Sequence, residues 1–151
     1  MHRLVLKCIA TAFILVISMS FIDWHYNLED AKQIAKKEHK HILLNFSGSD
    51  WCAPCIRLRQ EIFETDAFRN FSTENLVLVN ADFPRLKKNQ LSAAQQKEND
   101  MLAEKYNSKG TFPLTVLLDG DGKHLSQWEG FPKEGLHGFL DKLQMALDND
   151  R

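Results

Sequence analysis

Cys52 and Cys55 stand with two residues between them in the segment Trp51-Cys52-Ala53-Pro54-Cys55, after the apolar run His41-Ile42-Leu43-Leu44-Asn45-Phe46. Residues three apart on a helical turn have Cα atoms roughly 5 Å apart, within the span of a disulfide. Such a pair forms and breaks its bond with little movement. Placed where a strand gives way to a helix, Cys52 meets unpaired amide groups and the positive end of the helix dipole, which favour a thiolate. Pro54 falls in the first turn, where a missing N–H costs nothing. The chemistry these residue types and spacing support is thiol–disulfide exchange.

The sequence holds three cysteines, and the third, Cys8, lies in the N-terminal apolar segment. Without that segment only Cys52 and Cys55 remain. A bridge enclosing two residues is a poor structural staple, because loop-closure stabilisation grows with loop length. Half a zinc site is the structural alternative, but a second ligand pair is hard to find. His39 and His41 are two apart, whereas helical metal pairs stand three or four apart. They read as surface histidines, and neither a metal nor a bound cofactor is expected.

A chain of 151 residues with 44% hydrophobic and 26% charged residues fits one globular domain of ordinary size. The formal charge of −1 gives no reason to expect nucleic acid. The N-terminus reads as a targeting signal. Arg3 and Lys7 supply a basic start, Cys8–Ile17 an apolar middle, and Ser18-Met19-Ser20 a small-x-small cleavage pattern. The fifteen largely apolar residues Cys8–Ile22 fall short of the ~20 that span a bilayer. Residues 1–20 are therefore assigned to a signal peptide and 21–151 to one domain. The alternative is an uncleaved anchor over residues 4–22. Cleavage removes Arg3 and Lys7 and no acid, so −1 becomes −3. Either way the cysteines work outside the reducing cytosol, in the periplasm or a comparable exported setting.

The elements that must position the pair follow from hydrophobic spacing. Asn27–Lys40 carries Leu28, Ala31, Ile34 and Ala35 at helical intervals, with Asn27 as a cap. His41–Phe46 and Leu76–Val79 are short apolar runs, read as strands buried on both faces. Helices are expected over Cys52 to about Phe63, Asp66–Phe71 and Ser92–Tyr106, the last packing through Leu91, Met101, Leu102 and Tyr106. Phe83–Gln90, with Pro84 and the cations Arg85, Lys87 and Lys88, reads as a loop whose charges are ordinary solvated surface, a docking role being the alternative. Leu114–Leu118 and Lys123–Glu129 form a hairpin around Asp119-Gly120-Asp121-Gly122, and Glu134–Leu147 is an amphipathic helix. The fold class is α/β, a central mixed sheet with helices on both faces.

Four features together resemble the thioredoxin-like superfamily, over about Asn27 to Leu147. They are the cysteine motif after the first buried strand, Asn80-Ala81-Asp82 ending the next, Gly110-Thr111-Phe112-Pro113 before the hairpin, and Gly130 before the last helix. The fuller pattern, Gly48-Ser49-Asp50-Trp51-Cys52 followed by Glu61-Ile62-Phe63, is similar to an exported branch of disulfide reductases and isomerases. The resemblance implies that Cys52 is the nucleophile, Cys55 the resolving thiol and Trp51 a flanking aromatic at the substrate surface, beside Pro54. It also implies a cis bond before Pro113, which brings the Phe112 backbone against the cysteines to pair with an extended substrate. Family members often carry a buried Asp where this chain has Asn45 and a Lys where Leu78 falls. Asn45 cannot titrate, so Cys55 needs another base or water.

The function implied is an exported thiol–disulfide oxidoreductase, reducing or isomerising protein disulfides and reset by an external thiol donor, which a membrane protein could supply. The alternative is a binding module of the same fold that holds partners near Trp51 and Phe112 without turnover. Ala53 and Pro54 add no charge between the cysteines and Asp50 adds a negative one, which favours a reductant over an oxidant.

Overall fold

In the computed structural model, residues 22–150 are described; the expected signal at residues 1–20, with Cys8, lies outside them. The centre of the molecule is β2 (His41–Ser47), buried from Ile42 to Ser47. Ile42, Leu44 and Phe46 pack on one face of the sheet, and Leu43 packs on the other. A strand covered on both sides has no use for a polar face, which is why its sequence does not alternate. β3 (Leu76–Asp82) runs parallel to β2, and β1 (Trp24–His25) runs parallel to the outer edge of β3. β4 (Leu114–Leu118) pairs antiparallel with the other edge of β2, and β5 (His124–Glu129) closes the sheet. The order is β1-β3-β2-β4-β5.

Helices fill both faces. On one side α1 (Leu28–Glu38) buries Leu28, Ala31 and Ala35, and α4 (Ala93–Tyr106) buries Leu102, against Ile42, Leu44 and Val79. Asn27 caps α1 by accepting the Asp30 N–H at 2.9 Å. On the other side, Leu43, Leu78 and Leu117 meet α2 (Ala53–Leu58), α3 (Asp66–Asn75) and α5 (Gly135–Asp148). Phe68 and Phe139 are fully buried there, and each aromatic ring is worth roughly 2–3 kcal/mol in area removed from water. In the hairpin turn, Asp119 Oδ1 accepts the Asp121 and Lys123 N–H groups at 2.8 and 2.9 Å, and Gly122 takes φ +84°.

The structure departs from the sequence reading in four places. β1 is a strand that no apolar run announced, and its existence depends on the neighbouring edge of β3. The helix carrying the cysteines does reach Phe63, but from Arg59 it widens into a π turn. α3 runs on to Asn75, past the expected Phe71. Met101, expected to pack, is 55% exposed; α4 is held instead by Leu102 and by Asn99, whose side-chain N–H donates to the Asp82 carbonyl at 2.8 Å. The surface reading of His39 holds, and its φ of 55° closes α1. His41 is half-buried and reaches Asp150 at 2.9 Å.

Candidate active site

The cysteines sit where β2 hands over to α2, as their spacing demands. Cys52 is the N-cap of α2, and its carbonyl accepts the Cys55 and Ile56 N–H groups at 3.0 and 3.1 Å. The two are joined as a disulfide with Cα atoms 5.2 Å apart. A cysteine at a helix start is expected at the surface and one three residues on to point inward. In the bonded form Cys52 and Cys55 are 4% and 5% exposed, so exposure does not separate them. What separates them is position: Cys52 caps the helix, and Cys55 lines a cavity of about 230 Å³ that Cys52 does not.

Trp51 is built in from several directions. Cys52 donates its N–H to the Gly48 carbonyl at 2.9 Å, folding residues 48–52 into a turn. Gly48 is a close-approach glycine, because a methyl group there would collide with the Trp51 indole. The indole Nε1–H donates to the Phe83 carbonyl at 2.7 Å. Its ring packs edge-on against Phe112 at 5.5 Å, and Phe112 packs in the same way on Phe83. The Phe112–Pro113 bond is cis, as the resemblance implied. One aromatic cluster thus ties the cysteine motif to the segment before Pro113. Pro54, in the first turn of α2, is exposed.

Sequence reading missed the loop that completes this rim. Asp50 accepts the backbone N–H groups of Arg85 and Leu86, each at 2.9 Å, and the Asn89 side-chain amide at 3.0 Å. The Arg85 amide foremost, then Asn89 and Leu86, holds the Asp50 carboxyl below the ordinary aspartate range. The guanidinium of Arg85 lies over the Trp51 ring, 3.6 Å from its centroid. Asp50 is thus the negative charge that the sequence reading placed near the motif, held by the loop's amides. The only signal was an Asp before Trp51 and a loop more than thirty residues on, which no spacing rule connects.

This clamp has a pH dependence with a definite sign. A carboxyl with a lowered folded-state pKa supports the structure above its unfolded pKa and ceases to do so as pH falls through the lowered value. Exchange protection of the Arg85 and Leu86 amides is expected to drop severalfold in Asp50→Ala at neutral pH. The wild type should show the same drop only under acid conditions. Equal protection in the variant at neutral pH would mean that Asp50 does not order the loop.

Next to Cys55 lies the pocket where the family's buried acid would sit. Asn45, at 5% exposure, donates to Asn80 Oδ1 at 3.0 Å. Its partner is thus Asn80, two residues beyond Leu78, which packs in the apolar cluster with Leu43. Ser47 bonds Asp82 Oδ1 at 2.9 Å and lies 3.3 Å from Asn80 Oδ1, while Ser49 Oγ bonds Asp82 Oδ2 at 2.5 Å. Asn45, Ser47, Asn80 and Arg59 line the cavity with Cys55. Trp24, Ile56 and Phe63 complete a mixed lining, and the cavity is large enough for water, so a proton leaving Cys55 has polar groups within the same space. Among the described residues no group of His, Cys, Asp and Glu side chains is arranged to hold a metal ion.

The thioredoxin-like domain family model matches residues 28–144, which takes in every residue of this site. The chain belongs to the thioredoxin-like family. The disulfide bond reductase DsbH of Chlamydia pneumoniae is 34% identical over 131 residues, covering 87% of this chain and 76% of that protein. The thioredoxin-related protein DsbJ, from the same organism, is 26% identical over 129 residues; the match covers 85% of this chain and 36% of DsbJ. A solved structure of a DsbH oxidoreductase superposes with a TM-score of 0.76 at 33% identity, covering 85% of this chain and 86% of that one. This thioredoxin-like protein carries its redox-active disulfide at Cys52–Cys55 and is a thiol–disulfide oxidoreductase.

Proposed function

We propose that the protein is an exported reductase of protein disulfides. The observation that carries this reading is the Cys52–Cys55 disulfide set at the helix start, next to a Trp51 that packs on Phe112, in a chain 34% identical to a disulfide bond reductase. In the reduced protein the Cys52 thiolate attacks one sulfur of a substrate disulfide. The other substrate sulfur leaves as a thiolate. Cys55 then gives its proton to the polar cavity and attacks Cys52, releasing the second substrate thiol and closing Cys52–Cys55. Two electrons pass to the substrate, and an external thiol donor returns two.

The substrate chain lies in extended form along the Phe112 backbone, between Trp51 and Pro54. Residues 1–20 export the protein, and 21–151 make up the working domain. Among the described residues no helix is long and apolar enough to cross a membrane. The reducing direction rests on the uncharged Ala53-Pro54 between the cysteines and on the similarity to DsbH. Asp50 stays ionised near the motif, its charge shared with the loop amides that it holds.

Equilibration against glutathione mixtures tests the direction. The pair is expected to stay oxidised in a mildly oxidising mixture and to require a strongly reducing one before the dithiol dominates. A pair that remains reduced in the mildly oxidising mixture is an oxidant. Absence of exchange at every ratio would leave a binding module.

A further inference from the structure

The segment Arg85–Lys88 is exposed and carries three cations around Leu86. Among the described residues, no carboxylate lies within ion-pair distance of Arg85, Lys87 or Lys88, whereas the other arginines, Arg57, Arg59 and Arg69, are each paired with an acid of their own element or the residue that ends it. The protein as a whole is slightly acidic, so this cluster is no by-product of a basic composition. A like-charged surface run ordinarily stays mobile and solvated. This one is fastened to the redox motif.

The manner of fastening matters. Asp50 grips the loop through the backbone amides of Arg85 and Leu86 and the Asn89 side chain. It orders the loop without taking the guanidinium as an ion-pair partner. The guanidinium is left over the ring of Trp51, the residue before Cys52. A cation stacked on an indole keeps its in-plane N–H donors available at the ring's edge. Trp51 in turn packs on Phe112, so Arg85 caps the aromatic cluster that joins the two sides of the exchange site. The entropy of placing that charge is lost on folding and not on binding.

We propose that Arg85, supported by Lys87 and Lys88, is a specificity determinant that recruits disulfides flanked by acidic residues in an extended polypeptide. The proposal rests on the reductase reading and adds the class of substrate to it. A carboxylate near the substrate disulfide meets the Arg85 fork while the sulfur approaches Cys52. Attraction across an exposed rim acts chiefly on encounter, so it falls with ionic strength.

The test uses the reduced full chain and two short peptides, each closed by one disulfide, alike except for glutamates or lysines flanking the cysteines. The measured quantity is the second-order rate of thiol release. The glutamate peptide is expected to react about fivefold faster at low salt, the preference shrinking as salt is added. Arg85→Gln should bring the ratio close to one, and Arg85→Glu should reverse it. A wild-type ratio of one, or a preference that survives Arg85→Glu, overturns the proposal. So does a ratio insensitive to Arg85→Glu alongside lost binding to phosphatidylserine vesicles, which would assign the surface to a membrane. Reduction of uncharged 2-hydroxyethyl disulfide by the wild type separates the two readings. Failure there removes the reductase reading and this proposal with it. Success there with no charge preference between the peptides removes this proposal alone.

Discussion

Cys52→Ser is expected to take disulfide reduction to background, a loss of about 1,000-fold or more, because Cys52 is the thiol that the helix N-cap activates to form the covalent intermediate. Cys55→Ser should behave differently. Attack still occurs, but nothing resolves the mixed disulfide, so the substrate stays bonded to Cys52 and is seen as a covalent adduct that a reducing agent releases. The two variants should be about equally folded, since the bridge encloses only two residues and Cys52 and Cys55 fill similar space. The contrast therefore reports chemistry and not stability. Brief iodoacetamide treatment of the reduced protein adds a third readout, with label expected on Cys52. The near-equal burial of the two residues in the disulfide means that this preference comes from the helix N-cap and not from exposure. Label chiefly on Cys55, or an adduct on Cys55 in Cys52→Ser with activity retained, would exchange the two roles.

What could be read in advance follows a physical division. β2 and the first part of β3 were legible because strands buried on both faces become continuous apolar runs. The cysteine motif was legible because its chemistry is local: two thiols, a helix start, and a proline in the first turn. Contacts set by tertiary register were not. That Asn45 meets Asn80 depends on how β2 and β3 slide along each other, and one-residue shifts change every cross-strand partner. β1 has only two residues, too few for any periodicity, and forms because β3 offers an unpaired edge. The Asp50 clamp joins two loops through backbone amides, and backbone amides leave no trace in residue identity. Arg85 was visible as a charge but not as a placed one. The same limit hid Asn99, whose buried amide fastens α4 to the end of β3.

Asn45→Asp is expected to make stability strongly pH-dependent, and the sign follows from the pocket. Position 45 is 5% exposed, and its amide donates to Asn80 Oδ1 at 3.0 Å. An ionised carboxylate there would lose that donor, face an acceptor and give up its hydration. Arg59 lines the same cavity, but its side chain is 58% exposed and stands 3.6 Å from Glu64, so its charge is screened and shared. Desolvation therefore dominates, and the new carboxyl titrates above its unfolded value. A group whose folded pKa is raised costs nothing below the unfolded pKa. The penalty grows as pH rises towards the folded pKa and is constant beyond it. A rise of two to three units corresponds to about 3–4 kcal/mol at pH 8 and little at pH 4. Thermal or urea unfolding of both proteins at the two pH values measures this difference. The same carboxyl would also give Cys55 a titrating neighbour, so release of the mixed disulfide should quicken as pH rises through that raised value. Equal destabilisation at pH 4 and pH 8 would mean that the pocket hydrates the charge.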